Sequence, residues 1–520
     1  MTKPLGTYDP ARAALSPARR VELLERLRSA ASPTAAAGPP EIDVIVIGAG
    51  VTGAGIALDA ATRGLSVLLV DKVDLAFGTS RWSSKLAHGG LRYLASGNVG
   101  IARRSAVERG VLMEVTAPHL TRALGQVVPV NRKFSLLNRV LPRLGFLAGD
   151  VLRIAAGTSS RTLPRSRTIS ARRVAELCPA VDRDGLFFGY LNYDGQLVDD
   201  AALVTALART AAGFGADVLT HATASRVDAA ADGSGSKVVL DVDGEELSLR
   251  AACVVNATGV WAGGLDEGVT VTPSRGTHLV IDAAKVGNPT GALTVPVPGA
   301  TNRFCFILPT QLGRCYIGIT DEPAPLEDVP KAPPADVVWI LDVVNQALAT
   351  KLTRADVLGA FAGLRPLVQL KGAGAGPEST ADLSREHAII ERAGMITVTG
   401  GKLTEYRLMA EQTVDAVLRK APSLREKAGE CITKSVPLVG APSRPDNRDT
   451  ALCLVERGSE AVVPGLDVTR AQLSFAVTHE GARTVSDIVD RRTRLGLVPE
   501  HRAAAEPVAR EVLAAAGIED

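Results

Sequence analysis

The stretch that most constrains this chain is Asp43-Val-Ile-Val-Ile-Gly-Ala-Gly-Val-Thr-Gly-Ala-Gly55, followed by Ser66-Val-Leu-Leu-Val-Asp71. It reads as an apolar strand, a glycine-rich turn, a helix and a second apolar strand ending in an acid. Gly48, Gly50 and Gly53 fit G-x-G-x-x-G. The first permits a tight turn, the second lets backbone approach a pyrophosphate, and the third lets the helix pack on the strand. Val51 and Thr52 then open a helix whose free N–H groups and dipole favour a phosphate. Asp71 lies at the distance along the chain from which an acid reaches a ribose hydroxyl. The glycines alone are a weak signal. Set between two strands and followed by that acid, they predict a dinucleotide site.

A chain of 520 residues is too long for one compact core, and its length suggests about three domains. The net charge of +2 argues against wholesale nucleic-acid binding. None of the six cysteines forms a CxxC pair, so they read as isolated reduced thiols, and the seven histidines show no metal-ligand spacing. No secretory signal is visible, and no uncharged apolar run reaches the length of a membrane span. Residues 1–40 read as an extension with a short amphipathic helix over Val21 to Leu27, followed by a Pro/Ala/Gly linker.

Further along, residues 72–100 are small, polar and glycine-rich, as suits a loop lining a ligand. Residues 101–175 carry 14 Lys and Arg against Glu108, Glu114 and Asp150. Within them, residues 134–154 mix apolar side chains with arginines. This stretch suits either an anionic membrane surface or a buried helical hairpin with solvated arginines. A helix is expected over Asp200 to Phe214, then strands over Val218–Ala224, Lys237–Val242 and Glu246–Leu249, and a buried strand from Cys253 into the Thr258-Gly259 turn. Thr277–Ile281, Phe304–Leu308 and Cys315–Thr320 alternate as antiparallel strands and open a second architecture near 271. Trp339 to Thr350 reads as a helix. Ile396–Thr399 runs into Gly400-Gly-Lys-Leu-Thr404 and a helix to Lys420, a second strand–glycine–helix geometry suited to a phosphate or ring. Beyond Ser435, helical periods follow over Asp449–Arg457, Arg470–Thr478, Thr484–Arg494 and Ala503–Ala516.

Several blocks in order, from about residue 42 to about 420, resemble the flavin-dependent glycerol-3-phosphate dehydrogenases of the bacterial respiratory type. They are Val46 to Ile56, Ser83-Ser-Lys-Leu-Ala-His-Gly-Gly-Leu-Arg-Tyr93, Val198-Asp-Asp-Ala201, Asn256-Ala-Thr-Gly259, Gly318-Ile-Thr-Asp321, Gly363-Leu-Arg-Pro366 and Gly400 to Thr404. The Ser83 to Tyr93 block separates this family from the amino-acid oxidases that share its fold. The resemblance implies an α/β protein with an FAD-binding Rossmann-like doubly wound domain, an antiparallel-sheet substrate (cap) domain and a C-terminal α-helical domain. The expected bounds are 41–100, 185–270 and 371–425 for the first, 101–184 and 271–370 for the second, and 426–520 for the third.

The resemblance also implies FAD as cofactor and oxidation of glycerol 3-phosphate to dihydroxyacetone phosphate. Hydride would pass from C2 to the flavin N5, and electrons would leave for a membrane quinone. The expected location is cytoplasmic, peripheral on the inner face of the cell membrane, with no nucleic-acid partner and with room for a homodimer. The expected cofactor residues are Gly48, Gly50, Val51, Thr52, Gly53, Asp71, Thr79, Ser80, Ser84, Lys85, His88, Gly90, Val227, Gly259, Gly401, Lys402, Leu403 and Thr404.

Such a substrate needs cations for its phosphate, a base for the C2 hydroxyl and a flavin beside the C2 hydrogen. An arginine fork binds two phosphate oxygens at once. Arg365 and Arg385 match the family positions at the phosphate end, Tyr93 matches a tyrosine near the substrate, and Lys402 points at both flavin and substrate. The Arg385 segment, Leu383-Ser-Arg-Glu-His387, departs from the Arg-Asp-Tyr of some relatives. His278 is a candidate base. The rival reading has Arg365 or Lys402 stabilise a developing alkoxide while water takes the proton. Asp321 is expected to orient a cation. Two other functions compete: a soluble oxidase of the same fold that makes hydrogen peroxide, and a catalytically lapsed flavin-binding scaffold. The basic apolar stretch and the absence of an obvious cap insertion favour the quinone-linked enzyme over the oxidase. The retained cations count against the scaffold.

Overall fold

The computed structural model describes residues 6–31, 42–95, 97–132, 136–230, 235–299, 303–368, 386–392, 394–444 and 460–519. Its first sheet is built around Ile42–Ile47, which pairs in parallel with Val67–Val70 on one side and Glu245–Asn256 on the other. Met395–Gly400 continues the parallel order beyond Glu245–Asn256, and Asp217–Leu219 continues it beyond Val67–Val70. His387–Arg392 adds an antiparallel edge.

Both faces of this sheet are covered, so its central strand is apolar from Val44 to Ile47 rather than alternating. Val44 and Val46 face the helices Val51–Thr62, Asp200–Gly213 and Tyr406–Lys420. Ile45 and Ile47 face the other way, onto Leu23, Leu24 and Leu27. Those leucines belong to the helix Pro17–Ala30, which Ser16 caps by accepting from the Arg19 N–H. The N-terminal extension thus carries a longer helix than expected, and that helix covers the second face of the sheet. Two expected strands prove to be one: Glu245–Asn256 runs unbroken, its first half paired antiparallel to Ser236–Val242.

The second sheet is mainly antiparallel. Val271–Asp282 lies between Arg314–Gly318 and Val357–Val368, and Phe304–Pro309, Ala292–Pro296, Thr121–Asn131 and Leu186–Leu197 follow outward. The helix Pro334–Asn345 packs on it, with Ile340 and Val344 in its core. Leu186–Leu197 and Leu86–Ala87 sit here, although the expected bounds gave both segments to the cofactor domain. The reason is register. Leu186–Leu197 finds its partner from Thr121↔Leu197 to Asn131↔Leu186, a pairing far apart along the chain that no local pattern announces. Leu438 and Val439 also join the first core, beyond the expected boundary at 425.

Residues 136–155 form one long helix rather than a hairpin. Phe146 and Leu152 point inward, whereas Leu136, Val140, Leu141, Leu144, Leu147, Val151 and Ile154 are exposed. Among the described residues, no helix is long and apolar enough to cross a membrane. The C-terminal region has its own core, with Leu473, Ile488, Leu495 and Leu513 buried among the helix Arg470–Thr478, the wide turn Asp487–Arg492 and the helix Pro499–Ala515. The helix expected over Asp449–Arg457 lies outside the described residues.

Candidate active site

The first glycine turn is built as its spacing requires. Gly48 adopts φ +103°, and a Cβ there would lie 2.6 Å from the Ala257 carbonyl oxygen. A Cβ on Gly53 would lie 1.8 Å from the Gly48 oxygen, so helix and strand meet backbone to backbone. Gly50 is the N-cap of Val51–Thr62 and supplies no side-chain cap, leaving the helix end to an outside acceptor. Val51 N–H donates to Ser80 Oγ at 2.9 Å, and Thr52 follows in the first turn. Asp71 accepts from the Ala49 N–H at 2.7 Å and the Val73 N–H at 2.9 Å. Burial pushes its carboxyl up to about 6, against the pull of those two amides. Gly259, at φ +63°, opens a short helical turn beside the sheet end, and Thr399 Oγ1 donates to its carbonyl at 3.0 Å.

The turn Thr79–Ser84 forms a seam between the two sheets. Thr79 Oγ1 donates to the Leu364 carbonyl at 2.6 Å, and Ser80 holds the helix end as described. Trp82 stacks on Phe361 with centroids 5.6 Å apart, and Ser84 Oγ lies 3.1 Å from His278 Nε2. His278 is buried and stacked on Phe361 at 4.8 Å, and its Nδ1 has no hydrogen-bond partner among the described residues. Burial first, then the Lys85 and Arg365 cations, push its imidazolium down to about 3, so the ring is neutral at pH 7.

Arg365 lies on the neighbouring strand, opposite Ser274. Its Nη1 donates to Asp321 at 3.2 Å and to Ser274 Oγ at 3.4 Å, and its Nη2 donates to the Thr320 carbonyl at 3.1 Å. The same strand ends at Val368, whose side chain abuts Gly400. Gly400 and Gly401 both adopt φ +79° and turn the chain into Leu403–Glu405 and the following helix, with Thr404 buried. Lys402 Nζ sits 3.8 Å from the centroid of the Tyr93 ring and donates to Glu405 at 3.2 Å and Ser105 at 3.3 Å.

A family model described as FAD dependent oxidoreductase matches residues 43–407, and one described as the C-terminal domain of alpha-glycerophosphate oxidase matches residues 447–518. The chain is 53% identical over 515 residues to glycerol-3-phosphate dehydrogenase 1 of Mycobacterium tuberculosis, covering 94% of this chain and 98% of that one. The chain belongs to the FAD-dependent glycerol-3-phosphate dehydrogenase family. A Mycobacterium leprae glycerol-3-phosphate dehydrogenase is 34% identical over 538 residues, covering 96% of this chain and 86% of the other. In fold, the chain is similar to the glycerol-3-phosphate dehydrogenase of Bacillus halodurans solved with FAD (TM-score 0.68, 24% identity, covering 95% of this chain and 94% of that one). It is also similar to the L-alpha-glycerophosphate oxidase of Mycoplasma pneumoniae solved with FAD (TM-score 0.56, 17% identity, covering 72% and 94%).

FAD is accordingly the cofactor of this family member. The helix end at Gly50, where Ser80 takes the Val51 N–H and the N-cap residue itself offers no side chain, and the open space around Gly259, where a Cβ would meet nothing within 4 Å, fit such a group. Three expected cofactor residues have side chains engaged with other parts of the chain. The Lys85 side chain is 1% exposed and turns inward, donating to Asp200 at 2.9 Å and to the Arg81 and Ser83 carbonyls. Its ammonium finds a buried carboxylate there, which the chain supplies at the start of Asp200–Gly213. His88 has an exposed ring that bonds Asp194 at 2.9 Å, while the neighbouring Gly90 (φ +83°) packs against Ala102. Val227 pairs with Val238 and packs into the apolar cluster of Ile45 and Leu68. Leu403 packs on the first core, and Arg385 lies outside the described residues.

Sequence reasoning missed Trp82, Phe361, Ser105 and Glu405. Glu405 had one signal, an acid three residues beyond Lys402 at a helix start. Trp82 and Phe361 had none, because a stack between residues far apart in the chain leaves no spacing to read.

Proposed function

We propose that this protein oxidises sn-glycerol 3-phosphate to dihydroxyacetone phosphate and passes the electrons to a membrane quinone. The observation that carries this reading is Arg365, held by Asp321, Ser274 and the Thr320 carbonyl beside the neutral, buried His278. Three anchors fix the guanidinium plane, which suits two oxygens of a phosphate. Arg385 would share that phosphate. Lys402, steadied by Glu405 and Ser105, adds a second cation, and Tyr93 lies beneath it. Bound FAD supplies the hydride acceptor. The Gly48, Gly50 and Gly53 turn, Asp71, Gly259 and Gly401 would hold its length.

His278 Nδ1 has no protein partner among the described residues but is closed off from solvent, so it would accept a hydrogen bond from the C2 hydroxyl only once the site opens to the substrate. The cations beside the ring disfavour imidazolium, so the proton rests on His278 only as the substrate dianion offsets Arg365. Otherwise Arg365 and Lys402 carry the developing negative charge and water takes the proton.

The membrane acceptor is supported by the helix Leu136–Ala155. Its exposed apolar side chains recur at 136, 140, 144, 147, 151 and 154, a single stripe at helical spacing, with Leu136 76% exposed. Its inner residue Leu152 packs with Tyr93 and Leu94, so the stripe lies behind the Tyr93–Lys402 pair. We infer a cytoplasmic protein resting by this helix on the inner face of the membrane.

The test is a purified, FAD-loaded protein mixed with glycerol 3-phosphate without oxygen, followed by a short-chain quinone or by oxygen. Bleaching of the flavin band and fast reoxidation by quinone are expected. No bleaching would overturn the substrate. Faster reoxidation by oxygen, with one peroxide per substrate, would assign the oxidase activity instead.

A further inference from the structure

We propose that Arg494, in the C-terminal domain, is a positioning residue for the FAD cradle, fastening the Thr79–Ser84 turn that touches both the pyrophosphate helix and His278. Arg494 is fully buried and holds a left-handed backbone at φ +60°, which a non-glycine residue adopts at a cost. Its Nη2 donates to the Arg81 carbonyl at 2.7 Å, its Nη1 donates to the Asp490 carbonyl at 2.9 Å, and its Nε lies 3.7 Å from Asp199. In turn, its own carbonyl accepts from Arg314 Nη1 at 2.9 Å, on a strand of the second sheet. One residue of the C-terminal domain therefore contacts both other domains at their seam.

The Arg81 carbonyl also accepts from Lys85 Nζ at 3.1 Å, so two buried cations converge on it. On one side of Arg81, Ser80 Oγ accepts the Val51 N–H and would lie 3.1 Å from a Cβ at Gly50, against the pyrophosphate turn. On the other side, Trp82 stacks on Phe361, and Ser84 meets His278. Holding this carbonyl holds the turn, and the turn holds the helix end and the imidazole. A second tie comes from the same domain: Arg491 and Arg492 pair with the buried Asp74 at 2.5 and 2.8 Å, three residues beyond Asp71. Buried guanidinium groups are costly unless fully engaged, and an arginine left without its carboxylate or carbonyl would loosen the seam. The C-terminal domain thus clasps the cradle at its ribose end and at its middle.

Apoprotein titrated with FAD, followed by flavin fluorescence, reads the effect. R494Q is expected to raise the Kd for FAD tenfold or more, with R494K recovering part of it. The double variant with S80A is expected to bind FAD no worse than S80A alone, because both act through one turn. R470A breaks the exposed Arg470–Glu511 pair in the same domain and is expected to leave the Kd unchanged. A folded R494Q with wild-type Kd, or fully additive R494Q and S80A effects, would overturn the proposal. Hydrogen exchange on the unaltered protein decides even where R494Q does not fold. Reciprocity requires FAD to slow exchange in residues 487–498 as well as in 48–55. Protection at 48–55 alone would overturn it, whereas protection at neither would instead count against the cradle itself.

Discussion

The guanidinium of Arg365 occupies the space that a side chain at position 276 would need. A Cβ on Gly276 would lie 2.3 Å from Arg365 Nη2 and 2.9 Å from Ile319 Cδ1. Gly276 and Arg365 sit on adjacent strands, where Ser274 faces Arg365 and Gly276 faces Gly363. A missing side chain on one strand is thus what lets a long cation on the next lie flat across it. A side chain added at position 276 therefore tests the phosphate-binding role proposed for Arg365.

Gly276→Ala should displace Arg365 without touching the FAD cradle. The expected outcome is a KM for glycerol 3-phosphate raised roughly 10- to 100-fold, since a charge-assisted contact contributes about 1.5–3 kcal/mol. Flavin content should stay near one per chain. Arg365→Ala should do the same. Steady-state kinetics with absorbance of the purified protein checks both, and equal loss of FAD would mean the residue serves the fold.

His278 carries a pH signature. Its imidazolium is pushed down to about 3 in the folded chain, against 6.5 ordinarily. Between those values the unfolded chain binds a proton that the native protein does not. This contribution to stability is therefore complete above pH 6.5 and is lost as pH falls toward 3. His278→Gln removes it, so the drop in Tm between pH 7 and pH 5 should be smaller in the variant than in the parent. Identical drops by calorimetry would show that His278 is not held neutral.

The two glycines of the cradle should fail in different ways. Gly53→Ala forces a Cβ into the Gly48 carbonyl oxygen, a backbone clash that no rotamer relieves. Loss of FAD and of soluble protein is expected. Gly259→Ala meets open space and carries only the strain of φ +63°, about 1–2 kcal/mol. In the holoprotein that Cβ would enter the space assigned to FAD, so soluble protein with a lowered Tm and weakened FAD binding is expected, read by thermal unfolding and flavin content.

The apolar stripe is testable by charge. Leu144→Glu together with Val151→Glu places two carboxylates on its exposed face. Sedimentation with anionic vesicles should fall at least tenfold, and the unaltered protein should lose binding in high salt if its arginines contribute. Unchanged sedimentation of the double variant would remove this helix from the membrane contact.

The glycine turn, its helix and the acid at Asp71 were legible along the chain because their contacts are local. A tight turn, an uncapped helix end and a close helix–strand approach each demand glycine at a fixed offset. The apolar run of Val44–Ile47 likewise implied a strand, and alternation exposed the antiparallel strands around His278. Tertiary structure decided the rest. Leu186–Leu197 belongs to the second sheet because of a register with Thr121–Asn131 that no local pattern encodes. Lys85 looked like a cofactor residue by position, yet Asp200, far along the chain, draws its ammonium inward. Arg494 reaches Arg81 across more than 400 residues. Periodicity reports which face a residue takes, whereas the partner of a buried charge is set by where distant segments pack.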